Sequence, residues 1–196
     1  MATIRVIAVP SANAEAVRYR QNDIGRTLTT LGQKQVLELH AKLGTIDLNR
    51  VYASSTTRAM QTAIGVTGLR TDEIERIPEL YVPDGSDGES LTRLLIGLGP
   101  KAPRVYINHS ENDGCVQRFS KAAGDALVEH LNKDEKDGIV AIFGDAVLLQ
   151  LAFLSLAHRK DLHDHFLELD LEETEAFEAI IVDGVVTEVK FLNLDD

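Results

Sequence analysis

Apolar and polar positions alternate along this chain with two different periods. Ile4 to Val9 is a short, nearly all-apolar run rich in β-branched residues, the pattern of a strand covered by helices on both faces. Residues 10–28 are polar and irregular, as in a long loop. From Thr30 the period becomes helical. Thr30 and Gln33 match a capping box, Val36, Leu39 and Leu43 fall on one face, and Gly44 stops the helix. Arg50 to Ala53 reads as a second strand and Thr57 to about Thr67 as a second helix, ended near Gly68. Glu75 to Leu80 reads as a short third strand. Turn formers fill Pro83 to Gly88, and a helix follows over Glu89 to Leu98, closed by Gly99 and Pro100.

The second half repeats the scheme. Arg104 to Asn108 fits either a short strand or an extended loop. Val116 to Leu131 is an amphipathic helix with Phe119, Ala122, Ala126, Leu127 and Leu131 facing inward. Asn132 to Gly138 is a charged, solvated turn. Ile139 to Phe143 is a fourth buried strand, and Asp145 to Ala157 an almost wholly apolar helix. Glu175 to Val182 and Val185 to Leu192 flank Asp183-Gly184, a hairpin signal because both turn positions tolerate positive φ. Strands alternating with helices and a closing hairpin predict an α/β three-layer sandwich with a mixed, mostly parallel sheet. With 196 residues and no linker-like stretch, residues 1–196 are expected to form one domain.

Composition narrows the function. With 44% apolar and 26% charged residues the chain has a globular profile, and without tryptophan its core must be mainly aliphatic. A formal net charge of −11 speaks against nucleic acid and against an anionic membrane surface. One cysteine, Cys115, rules out an internal disulfide and a Cys-based zinc site, and suits a free thiol in a reducing compartment. No basic-then-apolar leader precedes the first strand. The longest apolar run, Ala146 to Ala157, is interrupted by Gln150 and Ser155 and is shorter than the roughly 20 residues a bilayer takes. A cytoplasmic location is expected.

The chemistry concentrates in Val51 to Ala63, which reads as a strand end, a small polar turn and a helix with Arg58 in its first turn. Such a junction offers a phosphate free backbone N–H groups and a guanidinium. The helix dipole does not favour a cation there, so Arg58 has two readings. It is an anion ligand, or it pairs with Asp145 or with an acid of residues 79–89. Of the six histidines, His40, His130 and His158 fall within or at the ends of helices, in surface or capping roles. His163 and His165 are expected on an exposed loop without a third ligand, so neither a metal nor a cofactor is expected. His109, in the polar loop Asn108 to Asn112, is the one histidine placed to fold over a pocket beside Arg58.

The block Val51 to Ala63 resembles the "SSPLxRAxQTA" segment of the histidine phosphatase superfamily, the phosphoglycerate mutase-like family. Thr27 to Gln35 is similar to that family's "PLTxxGxxQA" segment. Arg118 leading into a long helix, the strand Ile139 to Phe143, the apolar helix and the final hairpin follow its later order. The resemblance spans most of residues 4–193 and implies the family's fold and phosphoryl transfer through a histidine. In the family, an "RHG" motif after the first strand supplies the nucleophile and one arginine, a second arginine comes from the second block, and a second histidine follows the fourth strand. Here the resemblance puts the first arginine on Pro10, the nucleophile on Ser11 and the glycine on Ala12. The second arginine is Arg58, and the second histidine falls on Gly144, or on Phe143 if the alignment slips by one. The leaving-group acid maps nearest to Glu79 or Asp84.

Ser11 is inert without a base, and a carboxylate at Asp145 would repel a phosphate. The expectation is therefore a degenerate, catalytically inactive member of that family, a binding or regulatory module keeping at most a phosphate site at Arg58 and Ser11. Its partner would be a phosphorylated small molecule or a protein. The alternative is an active phosphatase or mutase-like enzyme with a rearranged site of Ser11, His109 and Arg58. The terminal hairpin offers an edge strand for a homo-oligomer.

Overall fold

The computed structural model describes residues 3–16, 23–133, 137–172 and 175–192. They build one six-stranded sheet from β1 (Thr3–Pro10), β2 (Arg50–Ala53), β3 (Glu75–Arg76), β4 (Gly138–Gly144), β5 (Ala176–Val182) and β6 (Val185–Leu192). The strand order is β3-β2-β4-β1-β5-β6. β1 to β4 run parallel, β5 lies antiparallel to β1, and β6 closes the hairpin. The hairpin turn is Asp183-Gly184, both at positive φ (50° and 79°).

Side chains alternate across the sheet, and each face feeds its own core. Ile7 and Val9 of β1 pack with Val36 and Leu39 of α1 (Thr30–Leu43) and Ala63 and Val66 of α2 (Thr57–Thr67). Val6 and Ala8 face the other way, toward α3 (Ser86–Leu98), α5 (Cys115–Leu131) and α6 (Ala146–Leu156). The result is the mixed α/β three-layer arrangement that the alternation predicts. No helix among the described residues is long and apolar enough to cross a membrane.

Several boundaries differ from the sequence pattern, each for a local reason. The third strand is only two residues long, because Pro78 has no N–H for a ladder and opens a 3₁₀ turn over Pro78–Leu80 instead. Arg104 to Asn108 is neither strand nor loop: Pro103 starts the short helix α4 (Pro103–Ile107), its fixed φ suiting a first helical position. The cap of α1 is Thr29, not Thr30, whose Oγ1 accepts from the Gly32 amide at 3.1 Å. α3 begins at Ser86, three residues early. On α5 the inward face includes Ala123 rather than Ala122. His163 and His165 lie on a helix, α7 (Lys160–Glu168), not on a loop. The turn expected over residues 132–138 falls partly outside the described residues.

One glycine positions the site. A Cβ on Gly32 would lie 2.0 Å from the Asn13 carbonyl oxygen. Only glycine lets α1 rest directly on the segment leaving β1.

Candidate functional site

β1 and β4 end side by side, with Pro10 opposite Gly144. The carboxyl ends of parallel strands are where open α/β sheets place ligands. Ser11 continues the pairing: its amide donates to the Gly144 carbonyl at 2.7 Å and its hydroxyl donates to the same oxygen at 3.0 Å. The side chain is buried and committed. The Ala12 amide donates to Thr62 Oγ1 (3.1 Å), and that hydroxyl donates to the Arg58 carbonyl (2.8 Å). Pro10, Ser11, Gly144 and Arg58 are thus brought together.

The start of α2 differs from the sequence expectation of free amides. The Thr57 amide donates to the Ile24 carbonyl (2.8 Å), the Ala59 amide to the hydroxyl of the cap residue Thr56 (3.3 Å), and the Met60 amide to the Thr56 carbonyl (3.1 Å).

Arg58 is equally committed. Its Nε and Nη2 donate to the two carboxylate oxygens of Asp145 at 2.7 and 2.6 Å, a bidentate pair. Its Nη1 donates to the Asp23 carbonyl at 2.8 Å, and Nη2 lies 3.4 Å from the Asp23 carboxylate. The Tyr81 hydroxyl donates to that carboxylate, and Arg26 pairs with its other oxygen at 2.7 Å. The guanidinium also sits 5.8 Å from the Tyr81 ring centroid.

The charges here reinforce one another. Burial alone would lower the Arg58 pKa, but Asp145 and then Asp23 outweigh it and hold the guanidinium charged well above its usual range. Burial pushes the Asp23 carboxyl up, but the Tyr81 hydroxyl, Arg58 and Arg26 together bring it below its ordinary 3.8. Burial, and then the bond to Asp23, raise the Tyr81 phenol. A depressed carboxylate contributes stability above its unfolded pKa and loses it as pH falls through the folded one. Tyr81→Phe is therefore expected to cost about 1–2 kcal/mol at pH 7. The gap from wild type should narrow in urea melts run below pH 3.8, the ordinary value for this carboxyl.

Above this knot opens a cavity of about 640 Å³. Its floor holds Ser11, Arg58 and Asp145, and its walls are largely apolar: Val82, Pro83, Leu95, Ile96, Val147 and Leu148. Asp84 lies on the rim, while Glu79 is exposed and does not reach it. His109 is not part of the lining either. It sits in the turn after α4, its Nδ1 accepting from the Glu111 amide at 3.2 Å. Tyr106 does reach the cavity, and burial pushes its phenol up to about 12.

The pattern of the sequence did not single out Asp23 or Tyr81. Asp23 stands in an irregular polar stretch with no periodicity to mark it. Gln150 did leave a signal, as one of two polar breaks in the apolar run of α6, and it lines the cavity. Among the described residues no three His, Cys, Asp or Glu side chains converge as metal ligands.

The fold and the paired strand ends define an α/β protein with its pocket at the carboxyl edge of a parallel sheet. Residues 9–175 match the profile of the histidine phosphatase superfamily (branch 1), and the chain belongs to that superfamily. A putative α-ribazole-5′-P phosphatase from Escherichia coli superposes with a TM-score of 0.66 at 18% identity, over 97% of this chain and 96% of that one. A phosphoserine phosphatase variant from Entamoeba histolytica, solved with phosphoserine, gives 0.65 at 16% identity over 98% of both chains. Phosphoglycerate mutase from Bacillus anthracis gives 0.65 at 14%, over 97% of this chain and 93% of that one. At these identities the likeness is one of fold. A search of curated proteins finds no match.

Proposed function

We propose that this protein is a non-catalytic member of the histidine phosphatase superfamily, a binding module whose phosphate position is filled by its own carboxylates. The observation that carries this reading is the bidentate pair between Arg58 and Asp145, backed by Asp23. Every edge of the guanidinium faces an internal acceptor, so an incoming phosphate would have to displace a carboxylate and then sit beside it. Ser11 stands where the family resemblance puts the nucleophile, and its hydroxyl is spent on a carbonyl oxygen. A serine without a base does not attack phosphorus. The alternative, an enzyme rearranged around His109, loses support because that imidazole lies outside the cavity lining.

The test is direct. Purified protein incubated with p-nitrophenyl phosphate from pH 5 to 8 is expected to release no nitrophenol above buffer. Turnover that disappears on Arg58→Ala would establish an enzyme and end this reading.

A further inference from the structure

The cavity has a buried polar group with unused capacity. Gln150 is 1% exposed and lies one turn into α6, which is otherwise apolar apart from Ser155. Its Nε2 donates to the Leu169 carbonyl at 2.5 Å, which fixes the amide's orientation because a carbonyl accepts only from nitrogen. No described group donates to its Oε1. Gln150 is among the residues that line the cavity. A ligand donor in this chamber would pair with Oε1 in place of water.

The remaining surroundings set the ligand's charge. Arg58 is matched by Asp145 and Arg26 by Asp23, so the floor asks for no counter-ion. Asp84 and Lys101 on the rim, both exposed, are of opposite sign. The walls are aliphatic, with Leu95 and Ile96 on one side and Val147 and Leu148 on the other. A volume of about 640 Å³ lies within the usual range for small-molecule sites.

We infer that this pocket binds a neutral, mostly apolar small molecule that donates one hydrogen bond, from a hydroxyl or amide N–H, to Gln150 Oε1. The inference rests on the non-catalytic reading and names the ligand class of the same site. It separates this chain from a phosphate-ester binder: the recognition element is an amide oxygen among aliphatic walls, above a floor whose charges are already matched.

A matched series tests it: 4-phenylphenol, its methyl ether and its phosphate monoester, each titrated calorimetrically into the intact protein. The phenol is expected to bind with a Kd on the order of 0.1 mM, and the ether and phosphate at least about tenfold more weakly. Gln150→Leu should bring phenol and ether to equal affinity. Thr92→Trp, at a half-buried lining position, should weaken binding of phenol and ether alike by narrowing the chamber, and it keeps the test decisive if the Gln150 variant does not fold. The inference is overturned if the phosphate ester binds best, if the phenol does not bind, or if its binding is unchanged by Thr92→Trp. Hydrolysis of the phosphate ester would instead sink the non-catalytic reading, so the two failures are distinct.

Discussion

Asp145→Ala is expected to lower stability by about 3–5 kcal/mol at pH 7 and to make the protein respond to inorganic phosphate. Arg58 is 5% exposed and cannot shed its proton, so removing its bidentate partner strands a buried charge. The Asp23 carbonyl and its carboxylate at 3.4 Å replace only part of what is lost. The vacated space beside Ser11 is where a phosphate would lie, and a ligand that binds only the folded state raises the melting temperature. Thermal melts with and without about 10 mM phosphate, roughly the scale of a weak site, should shift for the variant and not for wild type. Equal shifts in both would mean that Arg58 already serves anions. Arg58→Leu combined with Asp145→Leu should recover most of the lost stability, because a buried ion pair can be replaced by apolar groups at little net cost.

The second large effect is a gain of turnover. If Asp145 closes the phosphate position, restoring the family's residues alone is not enough. Pro10→Arg, Ser11→His and Gly144→His together are expected to remain at background while Asp145 is present. Adding Asp145→Ala should raise p-nitrophenyl phosphate hydrolysis by at least roughly 10³-fold over wild type. That figure is modest beside the roughly 10⁶-fold cost of removing a nucleophile and the loss of about 3–4 kcal/mol per well-placed donor. Space permits the change at Gly144: a Cβ there would touch the Leu149 side chain at 3.1 Å, and that side chain can yield. A folded quadruple variant that stays silent would show that the correspondence of Pro10, Ser11 and Gly144 with the catalytic positions is misplaced. Activity in the triple variant would show that Asp145 is no barrier.

Much of the architecture was legible because hydrophobic period and turn chemistry agreed. The nearly all-apolar, β-branched runs of β1 and β4 read as central strands, and Asp183-Gly184 as a tight reversal. Where a proline intervened, pattern and structure parted. Pro78 cut β3 short, and Pro103 turned an ambiguous stretch into α4. The site was half visible. Arg58 stood out by its neighbours in sequence, and Asp145 was among the partners its position allowed. Asp23 was hidden, because its role depends on a contact with Arg58, 35 positions along the chain, and no local periodicity encodes such a contact. His109 misled for the converse reason: a polar loop that nothing in the sequence barred from the site closes on itself instead, the His109 ring accepting from the Glu111 amide.

The knot at Arg58 has a consequence for traffic. It fastens α2, the Asp23 segment and the start of α6 together, and the Thr57 amide bonded to the Ile24 carbonyl fixes the same wall again. That side of the chamber is riveted shut, and moving it means breaking buried ionic contacts. The opposite side, where Ile96 is 55% exposed on α3 and Gly85 turns the chain at φ 90°, is tied by the exposed pair of Asp87 with Arg118, at 2.7 and 2.8 Å, rather than by buried charges. A guest of the inferred class would be expected to enter on that side, past α3, rather than through the charged floor.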